Sequence, residues 1–246
     1  MPNGISISND YPVIDKSLAM LAKAKKIMHP VSQTLAKAPG QFSEGACPVY
    51  VDRAKGNRIW DIDGNEYIDF YSAIGPISLG YGYDVVDQAV RDQLDKGMTF
   101  SLMHHLEYEV CQLLHEIIPN AESIRISKSG ADVCTAAVRI ARAHTGREHI
   151  LCCGYHGWHD WYIGTSTRDA GIPEAAKGLT QKIAYNNLED LQSKLTPDTA
   201  ALILEPFVFD APDEGYLQRV HELCKANGTL LIFDEMWTGF KIALGG

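Results

Sequence analysis

The chain has 246 residues, 46% of them hydrophobic and 22% charged, which suits one or two globular domains with a sizeable core and excludes a disordered or fibrous class. Twenty-two Lys and Arg stand against 31 Asp and Glu, a net charge of -9, and no basic run of the kind that grips phosphate backbones is present, so nucleic acid is excluded as an expected partner. The six cysteines (Cys47, Cys111, Cys134, Cys152, Cys153, Cys224) show no CxxC spacing, MPNGISISNDYP lacks the basic start and apolar stretch of a leader, and no run approaches the ~20 apolar residues of a membrane span; a reduced, cytoplasmic protein is expected.

In chain order, residues 15–27 (DKSLAMLAKAKKI) have helical spacing, and the Pro- and Gly-punctuated stretch 29–40 behind them reads as an arm outside the core. Residues 47–70 alternate apolar and polar side chains around KGN and DGN, predicting a small antiparallel meander. Helices are predicted over 84–96 and 106–118. Four apolar runs follow: SIRIS (123–127), HILCC (149–153), AALILE (200–205) and LLIFD (230–234). Between them lie the helical segments GADVCTAAVRIARAHTG and YLQRVHELCKANG, each closed by a glycine, Gly146 and Gly228. Strand and helix in turn predict an α/β fold with a mostly parallel sheet and flanking helices. The connection 154–181 is too long and too aromatic for a plain surface loop. The expected organisation is an arm and small β segment over 1–80 and an α/β domain over 81–246.

Two of the apolar runs end on acids, Glu205 before Pro206 and Asp234 before Glu235. Ligands of open α/β sheets sit beyond the carboxyl ends of the strands, so both carboxylates are expected on one functional edge, although a single acid ending a strand can also simply meet solvent. An apolar run followed by Asp-Glu matches a Walker B element as well, but the chain has no GxxxxGK[ST] loop and no GxGxxG. SKSGADVCTAA (127–137) joins a strand end, a small-residue turn and a helix start, where free backbone N–H groups and the helix dipole suit an anion; an ordinary cap by Ser129 or Asp132 is the plainer alternative. GYHGWHDWY (154–162) places flat rings beside Gly154 and Gly157, suited either to covering a planar ligand or to plugging a loop. Cys152, Cys153, His156, His159 and Asp160 crowd together there without a standard zinc spacing, so no metal site is expected. An anion cradle, an aromatic cover and an acid at a strand end together suit a flat, phosphorylated, nitrogen-containing ring, and pyridoxal phosphate fits: phosphate in the turn, ring under Tyr155, ring nitrogen on Asp234.

IWDIDGNEYIDF, GPISLG from Gly75, the SGAD turn with VRIARAHTGR, the YHG at Tyr155, LILEP ending at Pro206, and LLIFDEMWTGFKIALGG, in this order, resemble the class III pyridoxal-phosphate aminotransferases, in the style of glutamate-1-semialdehyde aminomutase. The resemblance runs from about Ser43 to the last residue. It implies the fold type I architecture of pyridoxal-phosphate-dependent transferases, with 81–246 forming an incomplete, N-terminal part of the large cofactor-binding domain. It also implies a small-molecule amine and carbonyl as substrates and a homodimer. Among the residues it implies that Ser129, Gly130 and Ala131 hold the phosphate, Tyr155 stacks on the ring with His156 beside it, Asp234 binds the ring nitrogen, and Glu205 sits close to cofactor and substrate.

The chain departs from the family pattern at Lys128, where Asn precedes SG, at Ala131, where Thr or Ser follows it, and at Ala73 and Ile74, where aminomutases carry Ser-Trp. The family's Schiff-base lysine lies beyond the DExxTGF motif; Lys241 and Lys128 do not match it, and the expectation is a fragment or truncated product. The alternative function is then a non-catalytic dimer partner or cofactor-binding remnant.

Overall fold

A computed structural model of the chain describes residues 11–207 and 209–246. The expectation drawn from MPNGISISNDYP falls almost wholly on residues 1–10, which lie outside the described residues. The chain divides into two compact units, 1–102 and 103–246.

The first unit opens with helix α1 (Asp15–Ala24), which buries Ser17, Leu21 and Ala24 on one stripe. Its N-cap residue, Ile14, has no side chain able to satisfy the first N–H groups, and the Asp63 carboxylate does so instead, accepting from Lys16 N at 2.7 Å and Ser17 N at 2.9 Å. Asp63 sits in the DGN turn of the predicted meander, strands β1 (Val51–Lys55), β2 (Arg58–Asp61) and β3 (Glu66–Ile68), which pair antiparallel in that order. The helix ends three residues earlier than the apolar spacing suggests, and 3-10 turns at 35–37 and 39–41 occupy the arm. Helix α2 (Asp84–Leu94) closes the described elements of this unit.

The second unit begins with α3 (His105–Ile117) and α4 (Gly130–Thr145). Strand β4 (His149–Cys153) follows, then the short helices α5 (Asp160–Ile163) and α6 (Glu174–Lys177), and strand β5 (Thr180–Lys182). Helix α7 (Leu188–Lys194), strand β6 (Thr199–Leu204), helix α8 (Tyr216–Asn227) and strand β7 (Leu230–Phe233) complete it. The sheet order is β5-β4-β6-β7, and every pairing is parallel. The fold is thus the α/β class expected, and three of the four apolar runs are its strands. The fourth is not: among the described residues SIRIS (123–127) has no ladder partner, because β propensity describes how well a side chain suits a pleated surface, and a strand also needs a neighbour's N–H and C=O groups. The long connection 154–181 resolves into two helical turns and a fifth-run strand, β5, whose TQK has no apolar run to announce it.

Alternation along the buried strands divides the core. Ile150, Cys152, Ala201 and Ile203 face Cys134, Val138 and Ala141 of α4 together with Trp161 and Tyr162. Leu151, Cys153, Leu202 and Leu204 face Leu191 of α7 and Tyr216, Val220 and Cys224 of α8. At the amino edge of the sheet, the Arg147 guanidinium donates to the carbonyls of Thr199, Asn227 and Gly228, at 3.1, 3.0 and 3.1 Å. That ties the start of β6 to the end of α8 and leaves the opposite edge to carry polar side chains.

Candidate active site

Parallel register decides which residues meet at the carboxyl edge. Cys153 pairs with Leu204 and Leu204 with Phe233, so the next residue of each strand, Gly154, Glu205 and Asp234, emerges side by side. The ladder continues one step into the site, with Glu205 N–H donating to Cys153 O at 3.1 Å and Asp234 N–H to Leu204 O at 2.9 Å.

Asp234 is 8% exposed. Its Oδ2 accepts from His156 Nδ1 at 2.8 Å and from the Cys134 thiol at 3.3 Å, and its Oδ1 accepts from Met236 N–H at 3.1 Å. Burial alone pushes the carboxyl upward and is the largest single effect, but these donors and the charge of His156 together outweigh it and hold Asp234 below the ordinary value of 3.8. A carboxyl whose folded value is depressed adds stability above its unfolded value, and that stability is lost as pH falls through the folded value. The stability advantage of the unsubstituted protein over Asp234→Asn is therefore expected to be complete at neutral pH and to shrink below pH 3.8, as measured by urea midpoints; a gap that is constant across the acid range would contradict the ionised assignment.

His156 is 1% exposed, and its Nε2 lies 3.2 Å from Cys153 O. It stands behind Asp234 with no open face toward the edge, so its route to a ligand runs through that carboxylate. Cys134, His156 and Asp234 bring a sulfur, a nitrogen and an oxygen within 4.8 Å of one another. Burial, with the Asp234 charge adding to it, raises the Cys134 thiol to about 12, which keeps it a hydrogen-bond donor to the carboxylate. The crowd of candidate ligands in 152–160 disperses: Cys152 and Cys153 point to opposite faces of the sheet, and His159 bonds Thr135 instead.

Ser129 is the N-cap of α4, with extended backbone at φ -140° and ψ 162°. Its Oγ accepts from Asp132 N at 3.3 Å and donates to Asp132 Oδ2 at 2.8 Å, so the ordinary cap is made in full. The cap leaves the first-turn N–H groups of Gly130 and Ala131 without partners inside the helix. A Cβ on Gly130 would stand 3.2 Å from Met236 Cγ, and one on Gly157 would stand 2.5 Å from Ala131 Cβ, so glycine at both positions lets the loop and the β7 end close over this turn.

Tyr155 is 56% exposed, its ring held edge-on against Tyr162 at 5.6 Å and 88°. Its N–H donates to Glu205 Oε2 at 2.8 Å, and the Tyr162 hydroxyl donates to Gly154 O at 2.6 Å. Burial raises Glu205 above the usual carboxylate range, with the Tyr155 N–H pulling the other way. The structure thus gathers Ser129, Gly130, Ala131, Tyr155, Glu205 and Asp234 on one edge, with His156 one layer behind. Cys134 and Tyr162 were not singled out from the sequence; the spacing of Cys134, Val138 and Ala141 on one helix face is the signal that points Cys134 at the sheet end.

Residues 41–245 match the class-III aminotransferase family. The chain belongs to this family. It is 38% identical over 241 residues to a 3-aminobutyryl-CoA aminotransferase of Cloacimonas acidaminovorans, covering 94% of this chain and 57% of that relative. It is 37% identical over 255 residues to a glutamate-1-semialdehyde 2,1-aminomutase of Desulforamulus reducens, covering 96% and 58%. The class III chain therefore spans well under two thirds of these curated relatives' lengths. Among solved structures, a transaminase with PLP (pyridoxal phosphate) bound superposes with a TM-score of 0.85 at 26% identity, over 96% of this chain and 58% of that one. The PLP internal aldimine form of the FumI protein of Sphingopyxis sp. MTA144 gives 0.86 at 26%, over 93% and 57%. The mostly parallel class III sheet with its flanking helices is the pyridoxal-phosphate-dependent transferase fold.

Proposed function

We propose that this chain carries the cofactor-binding segment of a pyridoxal-phosphate enzyme that moves an amino group between a small amine and a carbonyl compound, or between two carbons of one substrate. The observation that carries the reading is Asp234: a nearly buried carboxylate, kept ionised by three donors, at the strand edge where the α4 turn and the exposed Tyr155 ring converge. The donor set fits the cofactor. Gly130 and Ala131 N–H groups and the Ser129 hydroxyl suit its phosphate, the Tyr155 face suits its ring, and Asp234 suits its protonated nitrogen. When bound, the pyridine ring supplies an electron sink for the carbanion left as substrate loses a proton. The protein's own part is to keep the ring nitrogen protonated through Asp234, to fix that carboxylate through His156 and Cys134, and to fix the Tyr155 backbone through Glu205.

The proposed partner is a second copy of the chain. Val85, Val86, Val90 and Leu94 of α2 are 49–72% exposed, and such apolar faces are commonly covered by association. The six cysteines are all free, and no described helix is long and apolar enough to cross a membrane. The test is an absorbance spectrum of the full protein purified with pyridoxal phosphate. A visible cofactor band that changes on adding amino donors is expected; a spectrum that is merely the sum of free cofactor and protein would end the reading.

A further inference from the structure

Resting on the cofactor reading above, we propose that His159 is a positioning residue for the phosphate turn: it takes hold of Asp132 so that the Ser129 hydroxyl is released to the phosphate group. Donor bookkeeping carries the argument. Trp161 Nε1–H can only donate, and it donates to Thr135 Oγ1 at 2.8 Å. The Thr135 hydroxyl has one hydrogen, its other partner is His159 Nδ1 at 2.7 Å, and among the described residues no further acceptor lies on it. We assign that hydrogen to Nδ1, the acceptor within reach among the described residues. The assignment gives His159 the tautomer protonated on Nε2, and Nε2 faces Asp132 Oδ1 at 3.8 Å.

The other carboxylate oxygen of Asp132 is occupied by the Ser129 hydroxyl at 2.8 Å. One hydroxyl hydrogen cannot serve Asp132 and an anion together. When a phosphate group claims it, Asp132 is left one hydrogen bond short beside a like charge, and the Nε2–H of His159, a short closure away, is the donor placed to replace it. The aromatic loop thus reaches the anion turn by a directed chain, Trp161 to Thr135 to His159 to Asp132, that joins the loop after β4 to the first turn of α4.

The experiment compares the affinities of the full protein for pyridoxal 5'-phosphate and for pyridoxal, which lacks the phosphate, by fluorescence titration. In His159→Asn the amide oxygen can still accept from Thr135, but the side chain no longer reaches Asp132. Its affinity for the phosphorylated ligand is expected to fall about threefold, the scale of a partly exposed, solvent-screened contact to a carboxylate, with pyridoxal unaffected. His159→Gln, whose amide N–H extends to the Nε2 position, should restore the ratio. In an Asp132→Asn background, His159→Asn should have no effect on it. Equal weakening of both ligands, an unmoved ratio, or an imidazole 15N spectrum placing the proton on Nδ1 would each overturn the role of His159 while leaving the cofactor reading intact. An unsubstituted protein that binds neither ligand would sink both.

Discussion

On the proposed cofactor reading, Asp234→Asn in the full protein is expected to lower amino-transfer turnover by roughly a thousandfold, the scale seen when a group aimed at developing charge is removed. The amide matches the carboxylate in size, so Cys134, Met236 and His156 keep a neighbour of the same shape. What goes, on that reading, is the negative charge proposed to face the ring nitrogen, and with it the protonated form that would draw electrons from substrate. The carboxylate is already held ionised by its donors, so no proton need be displaced before it does this work. Cofactor binding should weaken far less than turnover, because the α4 turn and the Tyr155 face are untouched. Near-normal turnover in this variant would show that another acid serves the ring nitrogen.

Gly154→Ala is expected to cost about 3 kcal/mol of stability, combining a strained backbone with a steric collision. Gly154 sits at φ +111°, and a Cβ there would stand 2.4 Å from Glu205 Oε2 and 2.9 Å from its Cγ. Relief requires Glu205 to leave the Tyr155 N–H, so the exposed Tyr155 side chain should loosen as well. Gly171→Ala is the control: φ is +84° there too, but nothing lies within 4 Å of the added carbon. It should cost about 1 kcal/mol, the backbone share alone. Equal urea midpoints for the two variants would show that contact with Glu205 contributes nothing.

Much of the edge was legible because its markers are local. HILCC and AALILE are almost wholly buried and LLIFD partly so, all three read as unbroken apolar runs, and the residue at or just past the end of each run, Gly154, Glu205 or Asp234, is the one that reaches the carboxyl edge. Gly146 and Gly228 mark helix ends because their left-handed backbone, at φ 67° and 66°, is costly for other residues. SIRIS shows the limit: composition suits a strand, but the ladder depends on a neighbour far along the chain. The second layer was out of reach for the same reason. Cys134 and Asp234 are 100 residues apart and His156 and Asp234 are 78 apart, and local spacing carries no record of such pairs. His156, which the resemblance to class III enzymes implies as a cofactor-binding residue, is buried with its Nδ1 on Asp234 Oδ2.

Gly157 and Ala131 bear on how the turn can change over time. A side chain at 157 would meet Ala131 Cβ at 2.5 Å, so the loop has settled against a residue that carries nothing beyond its methyl group. Position 131 is also where the resemblance leads one to expect a hydroxyl. Placing Thr there would not simply add a donor to the turn, since the new atoms must compete with the loop for space. Space at 131 and space at 157 are therefore shared, and a larger side chain at either position requires the aromatic loop to stand farther from the helix.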